Sequence, residues 1–320
     1  MALPLRFIVL TVLLTISFAS HAQRYPERLM TLIVPFGAGA STDIASRTIA
    51  RALSDEIRQA VIVDNKPGVD GLVGLQAASR SVPDGYTVLI SSGSTFVLNP
   101  HLYKTLPYDP VKDFSPITIL YRGIQVLVVG PQSKLRSIQD LLDSARANPG
   151  GISFGASTAT TRLAIELMQQ AAGLKLLYVP YKAVGPYLTD LMSGQIDLAA
   201  ADVQTLKPLI DSGKLRALGA TSANRHALLP GVPTVDESGV KGYEFSYWVG
   251  AWLPAGAPAP VIARLNELMV KVVKSPEMRK FITDSGGELV DINLSAMTAL
   301  QASEFEKFGR VIRGAGIPAQ

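Results

Sequence analysis

Leu32-Ile-Val-Pro-Phe-Gly-Ala-Gly-Ala-Ser-Thr-Asp43 and Ile152-Ser-Phe-Gly-Ala-Ser-Thr-Ala-Thr-Thr161 are two versions of one pattern. Each opens with a short apolar run of β type, passes through a turn of small residues, and enters a helical pattern. That pattern runs from Ile44 to Ile57 in the first case and from Arg162 to Ala172 in the second. An ordinary strand–helix connection needs one glycine. A turn made of Gly, Ala, Ser and Thr also lets backbone N–H groups approach a ligand closely, and the helix start beyond it adds partial positive charge. One such turn in each half of the chain is an arrangement able to close on a carboxylate from both sides.

Outward from these turns, strand and helix patterns alternate. Met30 to Val34 and Val61 to Val63 read as strands. Gly71 to Arg80 reads as a helix, and Pro83-Asp84-Gly85 as a turn into the strand Tyr86 to Ile90. A second series holds the strands Val126 to Val129, Ile152 to Phe154, Leu176 to Val179 and Ile196 to Ala200. Its helices cover Ile138 to Ala147, Arg162 to Ala172 and the region of Tyr187 to Met192. Alternation of this kind predicts βαβ units and mainly parallel sheets. About 300 residues beyond the leader exceed one typical core and imply two domains. After Trp248 helices return, at Pro260 to Val273 and Pro276 to Asp284, in a stretch expected to lead back to the first domain. Trp248 and Trp252 are expected there as packing residues.

The leader has the marks of an export signal. Arg6 precedes an apolar run from Phe7 to Phe18, and Ser20-His-Ala22 supplies small residues for cleavage after Ala22. The run is shorter than the roughly 20 residues that span a bilayer. The expectation is a periplasmic protein without a membrane anchor. With no cysteine in the chain, disulfides, thiolate metal sites and a lipidated tether are excluded. Only 18% of residues are charged, at a formal net charge of +4, without the Lys/Arg clusters of a nucleic-acid footprint.

Catalytic patterns are missing. No G-x-S-x-G, H-E-x-x-H or Walker A sequence occurs, and His101 and His226 are the only histidines past the leader. Gly37 and Gly39 begin a dinucleotide fingerprint, but Thr42 stands where its third small residue belongs. No cofactor and no metal are expected. Asp43 has two readings: helix-dipole stabilisation in a first turn, or acceptance of hydrogen bonds from a ligand hydroxyl or ammonium. Ser91, Ser92, Ser94 and Thr95 follow the strand ending at Ile90, where open α/β folds place ligands. Asp202 follows the strand Ile196 to Ala200 in the same way.

Several further segments, in this order, carry a resemblance. They are Ile33-Val-Pro-Phe36 through Asp43, Val63-Asp-Asn-Lys-Pro-Gly68, Pro83-Asp-Gly-Tyr-Thr87 and Leu106-Pro-Tyr-Asp-Pro110. In the second half come Val179-Pro-Tyr-Lys182, Gly194-Gln-Ile-Asp197, Gly213 to Leu218 and Trp248 to Pro258. Over essentially the whole chain past the leader, the sequence resembles the Bug-type solute receptors of tripartite tricarboxylate transporters. The resemblance implies a two-lobed α/β flytrap of the periplasmic binding protein type. Each lobe is a mainly parallel sheet flanked by helices, and two hinge crossovers join them. Lobe 1 would be residues 23–124 and 247–320, and lobe 2 residues 125–246. A small organic carboxylate would be held by Phe36, Gly37, Ala38, Gly39, Ala40, Ser41, Thr42 and Asp43 from lobe 1. Ser157, Thr158, Ala159, Thr160 and Thr161 would meet it from lobe 2, with Ser91, Ser92 and Asp202 touching the rest. The partner would be a membrane permease, and the receptor a monomer without catalytic residues. Two positions depart from the family pattern: Ala40 where adjacent glycines are usual, and a shorter second loop with Arg162 in place of Gly-x-Gly and His. An exported α/β enzyme acting on a carboxylate or ester, and a receptor for a membrane sensor, stay open as alternatives.

Overall fold

The computed structural model describes residues 25–290 and 294–319. The export signal expected over residues 1–22 lies outside them. The first series is β1 (Met30–Val34), α1 (Ser41–Ile57), β2 (Val61–Asn65), α2 (Leu72–Ser79) and β3 (Thr87–Ser92). Two single-turn helices, α3 (Ser94–Val97) and α4 (Asn99–Leu102), lead to the sixteen-residue β4 (Phe114–Val129). The second series is α5 (Ile138–Ala147), β5 (Ser153–Ala156), α6 (Ala159–Ala172), β6 (Leu177–Pro180), α7 (Val184–Ser193), β7 (Leu198–Asp202), α8 (Val203–Asp211) and β8 (Arg216–Ala220). The chain closes with β9 (Ser246–Pro254), α9 (Ala259–Val273), α10 (Pro276–Asp284), β10 (Gly287–Glu288) and α11 (Leu294–Gly314).

One sheet has the order β2-β1-β3-β9-β4, and the other β6-β5-β7-β4-β8. β1 runs parallel to β2 and β3, and β5 parallel to β6 and β7. β4 belongs to both sheets. It pairs antiparallel with β9 from Phe114 to Ile124, then with β7 from Gln125 to Val128. Only the end of β4, Val126 to Val129, is legible in the sequence, because Pro116 and Arg122-Gly123 interrupt its apolar run. β9, too, is a strand throughout, with Trp248 and Trp252 in the core.

α1 shows why these residues fold as they do. Thr42, Ala45, Ser46, Ile49 and Leu53 recur at helical spacing and are its buried face. Ile49 and Leu53 pack with Leu32 and Val34 of β1 and Leu265 and Met269 of α9. Behind the same sheet, Phe96 stacks on Trp252 with ring centres 4.1 Å apart, and Phe114 meets Phe96 edge-on. That second core is continuous with Leu141 and Leu163 of the other half, and α11 covers it through Met297, Phe308 and Ile312. Full burial of one such Leu or Phe contributes about 1.5–3 kcal/mol.

Three boundaries that matter for the site differ from the sequence expectation. α1 begins at Ser41 and α6 at Ala159, each three residues earlier than expected. Ser41, Thr42, Asp43, Thr160 and Thr161, expected in the turns, are therefore first-turn helix residues. β3 runs on through Ser92, which places Ser91 inside the strand.

Candidate ligand-binding site

The C-terminal ends of β1, β3, β5 and β7 open on one cleft, the location that open α/β sheets favour for ligands. It encloses a cavity of about 220 Å³. Phe36, Ala40, Ser41 and Thr42 line it from the β1–α1 connection, and Ser92 and Ser94 from the end of β3. Thr158, Ala159, Thr160 and Thr161 come from the β5–α6 connection, and Ala201 and Asp202 from the end of β7.

Backbone groups give the cleft its polarity. The first N–H groups of a helix have no acceptor within the helix. α1 is capped by Ala40, which has no side-chain oxygen, and α7 by Ala183, equally without one. α6 is different. Thr158 Oγ1 accepts from the Thr161 N–H at 3.2 Å, and the two threonine hydroxyls lie 3.0 Å apart. The turn before α1 works because Gly39 takes φ +83°, while Ala40 sits at φ −66° in ordinary extended backbone. The departure at position 40 therefore strains nothing: the residue that needs a left-handed conformation is the glycine before it.

Several expected contacts lie elsewhere. Gly37, Ala38 and Gly39 are exposed and do not line the cavity, nor does Ser157. Asp43 is buried, and its carboxylate is fully engaged by the protein. Gly39 N–H donates to Oδ2 at 2.8 Å, Asn65 Nδ2 to Oδ1 at 2.9 Å, and Arg47 Nε to Oδ2 at 3.1 Å. It staples the turn to β2. Burial raises its pKa, but the hydrogen bonds from Arg47, Gly39 and Asn65 outweigh that and hold it below the usual carboxylate range. Ser91 is a core residue whose hydroxyl lies 3.1 Å from Thr95 Oγ1. Arg162 turns away from the cleft, pairing with Glu166 and lying over the Tyr178 ring.

Other lining residues gave no sequence signal: Asp70, Asn99, Gln125, Val184, Tyr187, Thr205, Tyr247 and Val249. Gln125 stands opposite Asp202 in the β4–β7 pairing, and its Nε2 donates to Thr161 Oγ1 at 3.2 Å. Asp202 titrates at about 6, up from 3.8. Burial raises it, and hydrogen bonds from Tyr247 and Gln125 offset only part of the rise. Asp70 and Asp202 are the charged side chains among the lining residues, and no lysine or arginine lines the cavity. Among the described residues no cluster of His, Asp and Glu is placed to hold a metal ion. The chemistry on offer is hydrogen bonding from backbone and hydroxyl donors at one set of positions and acceptance by Gln125 and Asp202 at another.

The sequence profile of TctC, the tripartite tricarboxylate transporter family receptor, matches residues 45–317. The chain belongs to this family. Among the TctC relatives, a UPF0065 protein from the tcbD–tcbE intergenic region of Pseudomonas sp. (strain P51) is 35% identical over 300 residues, covering 92% of this chain and 89% of that one. Protein BugT of Bordetella pertussis is 32% identical over 301 residues, covering 92% and 91%. R. palustris Rpa4515, solved with adipate, shares the fold at a TM-score of 0.83 and 31% identity, covering 92% of this chain and 100% of that one. This TctC chain thus has the two-lobed binding-protein fold and is a solute-binding receptor. The enzyme alternative is set aside, because the family and its structural neighbours are receptors.

Proposed function

We propose that this receptor captures a small carboxylate in the periplasm, as a monomer, and delivers it to the membrane permease of a tripartite transporter. Residues 23–124 and 247–320 are one lobe and 125–246 the other, after cleavage of the leader behind Ala22. The carrying observation is that the first turns of α1 and α6 line a single cavity. A carboxylate between them meets N–H groups and threonine hydroxyls on both sides, and the helix dipoles favour its charge. With no lysine or arginine in the lining, these donors are what recognises the anion. The adipate in Rpa4515 supports a carboxylate as the ligand class. A cavity of about 220 Å³ is smaller than the roughly 300–1,000 Å³ of drug-sized pockets, which points to a compact acid.

The test is a thermal-shift panel on ligand-stripped protein, pairing each acid with its uncharged amide. A ligand at 100 times its Kd stabilises the fold by about 2.7 kcal/mol, a rise of several degrees in melting temperature. The expected result is a shift with acids only. Equal shifts from acids and amides, or none with any acid, sink the carboxylate reading.

A further inference from the structure

The cleft has an acceptor side that a bare carboxylate leaves unused. Gln125 is 3% exposed and lines the cavity. Its backbone N–H donates to Thr221 Oγ1, its backbone oxygen accepts from Thr221 N–H, and its Nε2 donates to Thr161 Oγ1. Its Oε1 has no hydrogen-bond partner. Among the described residues the only other buried side-chain polar atom in that condition is Arg122 Nε. The Gln125 side chain also lies against Asp202, whose pKa it lowers, and this favours the orientation that keeps Nε2, not Oε1, toward the carboxylate. Asp202, next to it in the pairing, is a second acceptor, and Asp70 a third at the more exposed edge. A buried acceptor without a donor is unfavourable, and a ligand that brings the donor removes the penalty. A second carboxylate on the ligand would instead add negative charge to a lining that holds two acids and no base.

We propose that this receptor selects acids that also carry a hydrogen-bond donor, a hydroxyl or an ammonium group, with Gln125 Oε1 and Asp202 accepting from it. The inference rests on the carboxylate reading and narrows it. An amino acid or hydroxy acid fits this cleft, and a plain dicarboxylate fits it less well.

The experiment is calorimetric titration of the mature protein with matched acids that differ only in the donor: succinate, malate and aspartate, then adipate and 2-aminoadipate. At least one donor-bearing member should bind tenfold or more tighter than its plain counterpart. Preference for aspartate identifies an ammonium, and preference for malate a hydroxyl. Gln125→Leu and Asp202→Asn should each erase that preference, read as the ratio of the two affinities within each variant; melting curves establish that the variants are folded. Succinate and adipate binding as tightly as their substituted partners overturns the proposal and leaves the carboxylate reading intact. So does a preference that survives both substitutions. Failure to bind of every acid in this series and in the thermal-shift panel, monocarboxylates included, overturns both readings together.

Discussion

The carboxylate of Asp43 receives the Gly39 N–H, the Asn65 amide and the Arg47 guanidinium, so its removal orphans donors in a buried place. Asp43→Ala should therefore destabilise the fold by about 1–3 kcal/mol, read as a lower midpoint in urea. Its pKa lies below the usual range, so its contribution is complete above about pH 4 and is lost as pH falls through the lower folded value. Asp202 behaves in the opposite sense. Its folded pKa of about 6 exceeds the ordinary 3.8, so the folded state binds the proton more tightly than the unfolded chain. Ionising it weakens the fold progressively from about pH 4 to pH 6, and the loss is complete above that. The shift corresponds to roughly 3 kcal/mol, which access to the cleft reduces to about 1–2 kcal/mol. Asp202→Asn should melt higher than the parent at pH 7.5 and equally at pH 4; a constant difference across that range contradicts the assignment. The two acids also show what a sequence reveals of a site. Asp43 stands out in the sequence by its place in a first helical turn and Asp202 by following an apolar strand, yet only the partners brought by folding separate the staple from the cleft residue. Gln125 gave no signal because it opens an apolar strand run, and Asp202 comes beside it only through antiparallel pairing.

The starts of α1 and α6 present donors by different means. In α1 the turn depends on backbone conformation. A Cβ on Gly39 would meet nothing within 4 Å, so Gly39→Ala tests φ alone. Placing an L-residue in the left-handed region costs roughly 1–2 kcal/mol, and the displaced turn should weaken acid binding as well. Ala40→Gly should leave both properties nearly unchanged, since Ala40 is already extended. Calorimetry and melting curves on the two variants separate the positions, and a larger loss from Ala40→Gly would reverse their roles. In α6 the cap is a side chain. Thr158→Ala removes the acceptor for the Thr161 N–H, and loss of an N-cap of this type costs about 1 kcal/mol. These elements were legible because small polar residues after an apolar run mark a strand–helix turn, although the helix starts were not. A helix capped by alanine has no sequence signature, and the strand β4 was hidden by the proline and the Arg-Gly pair within it. Gly155 is readable only in three dimensions. A Cβ there would come within 2.6 Å of Ile196 and 3.0 Å of the Tyr187 side chain, so its role is to let β5 approach its neighbours.

At the scale of the molecule, the two sheets are joined where β4 and β9 run side by side. The last β4–β9 pair is Ile124 with Ser246, and the next residues enter the other half, Gln125 by pairing with Asp202 and Phe245 by donating its N–H to Thr221. Both crossings thus fall at one level, so lobe closure, as proposed, would need rotation about only a single residue pair in adjacent strands. α11 packs on α3 and β4 and also reaches α6, where Gln170 Nε2 donates to the Val311 carbonyl. A ligand shifts such an equilibrium only by its differential affinity for the two states. An acid held by α1 alone would bind open and closed forms equally and compact nothing, however tight. One held by α1 and α6 together favours the closed form, and a shift from 1:99 to 99:1 needs about a 10⁴-fold difference in affinity. Small-angle scattering on ligand-stripped receptor should therefore give a larger radius of gyration than on receptor saturated with its acid. Thr160→Val, which replaces a hydroxyl lining the α6 side with a methyl group, should reduce both the affinity and the compaction. Equal radii with and without a bound acid would place the contacts on one half only and remove lobe closure from the mechanism.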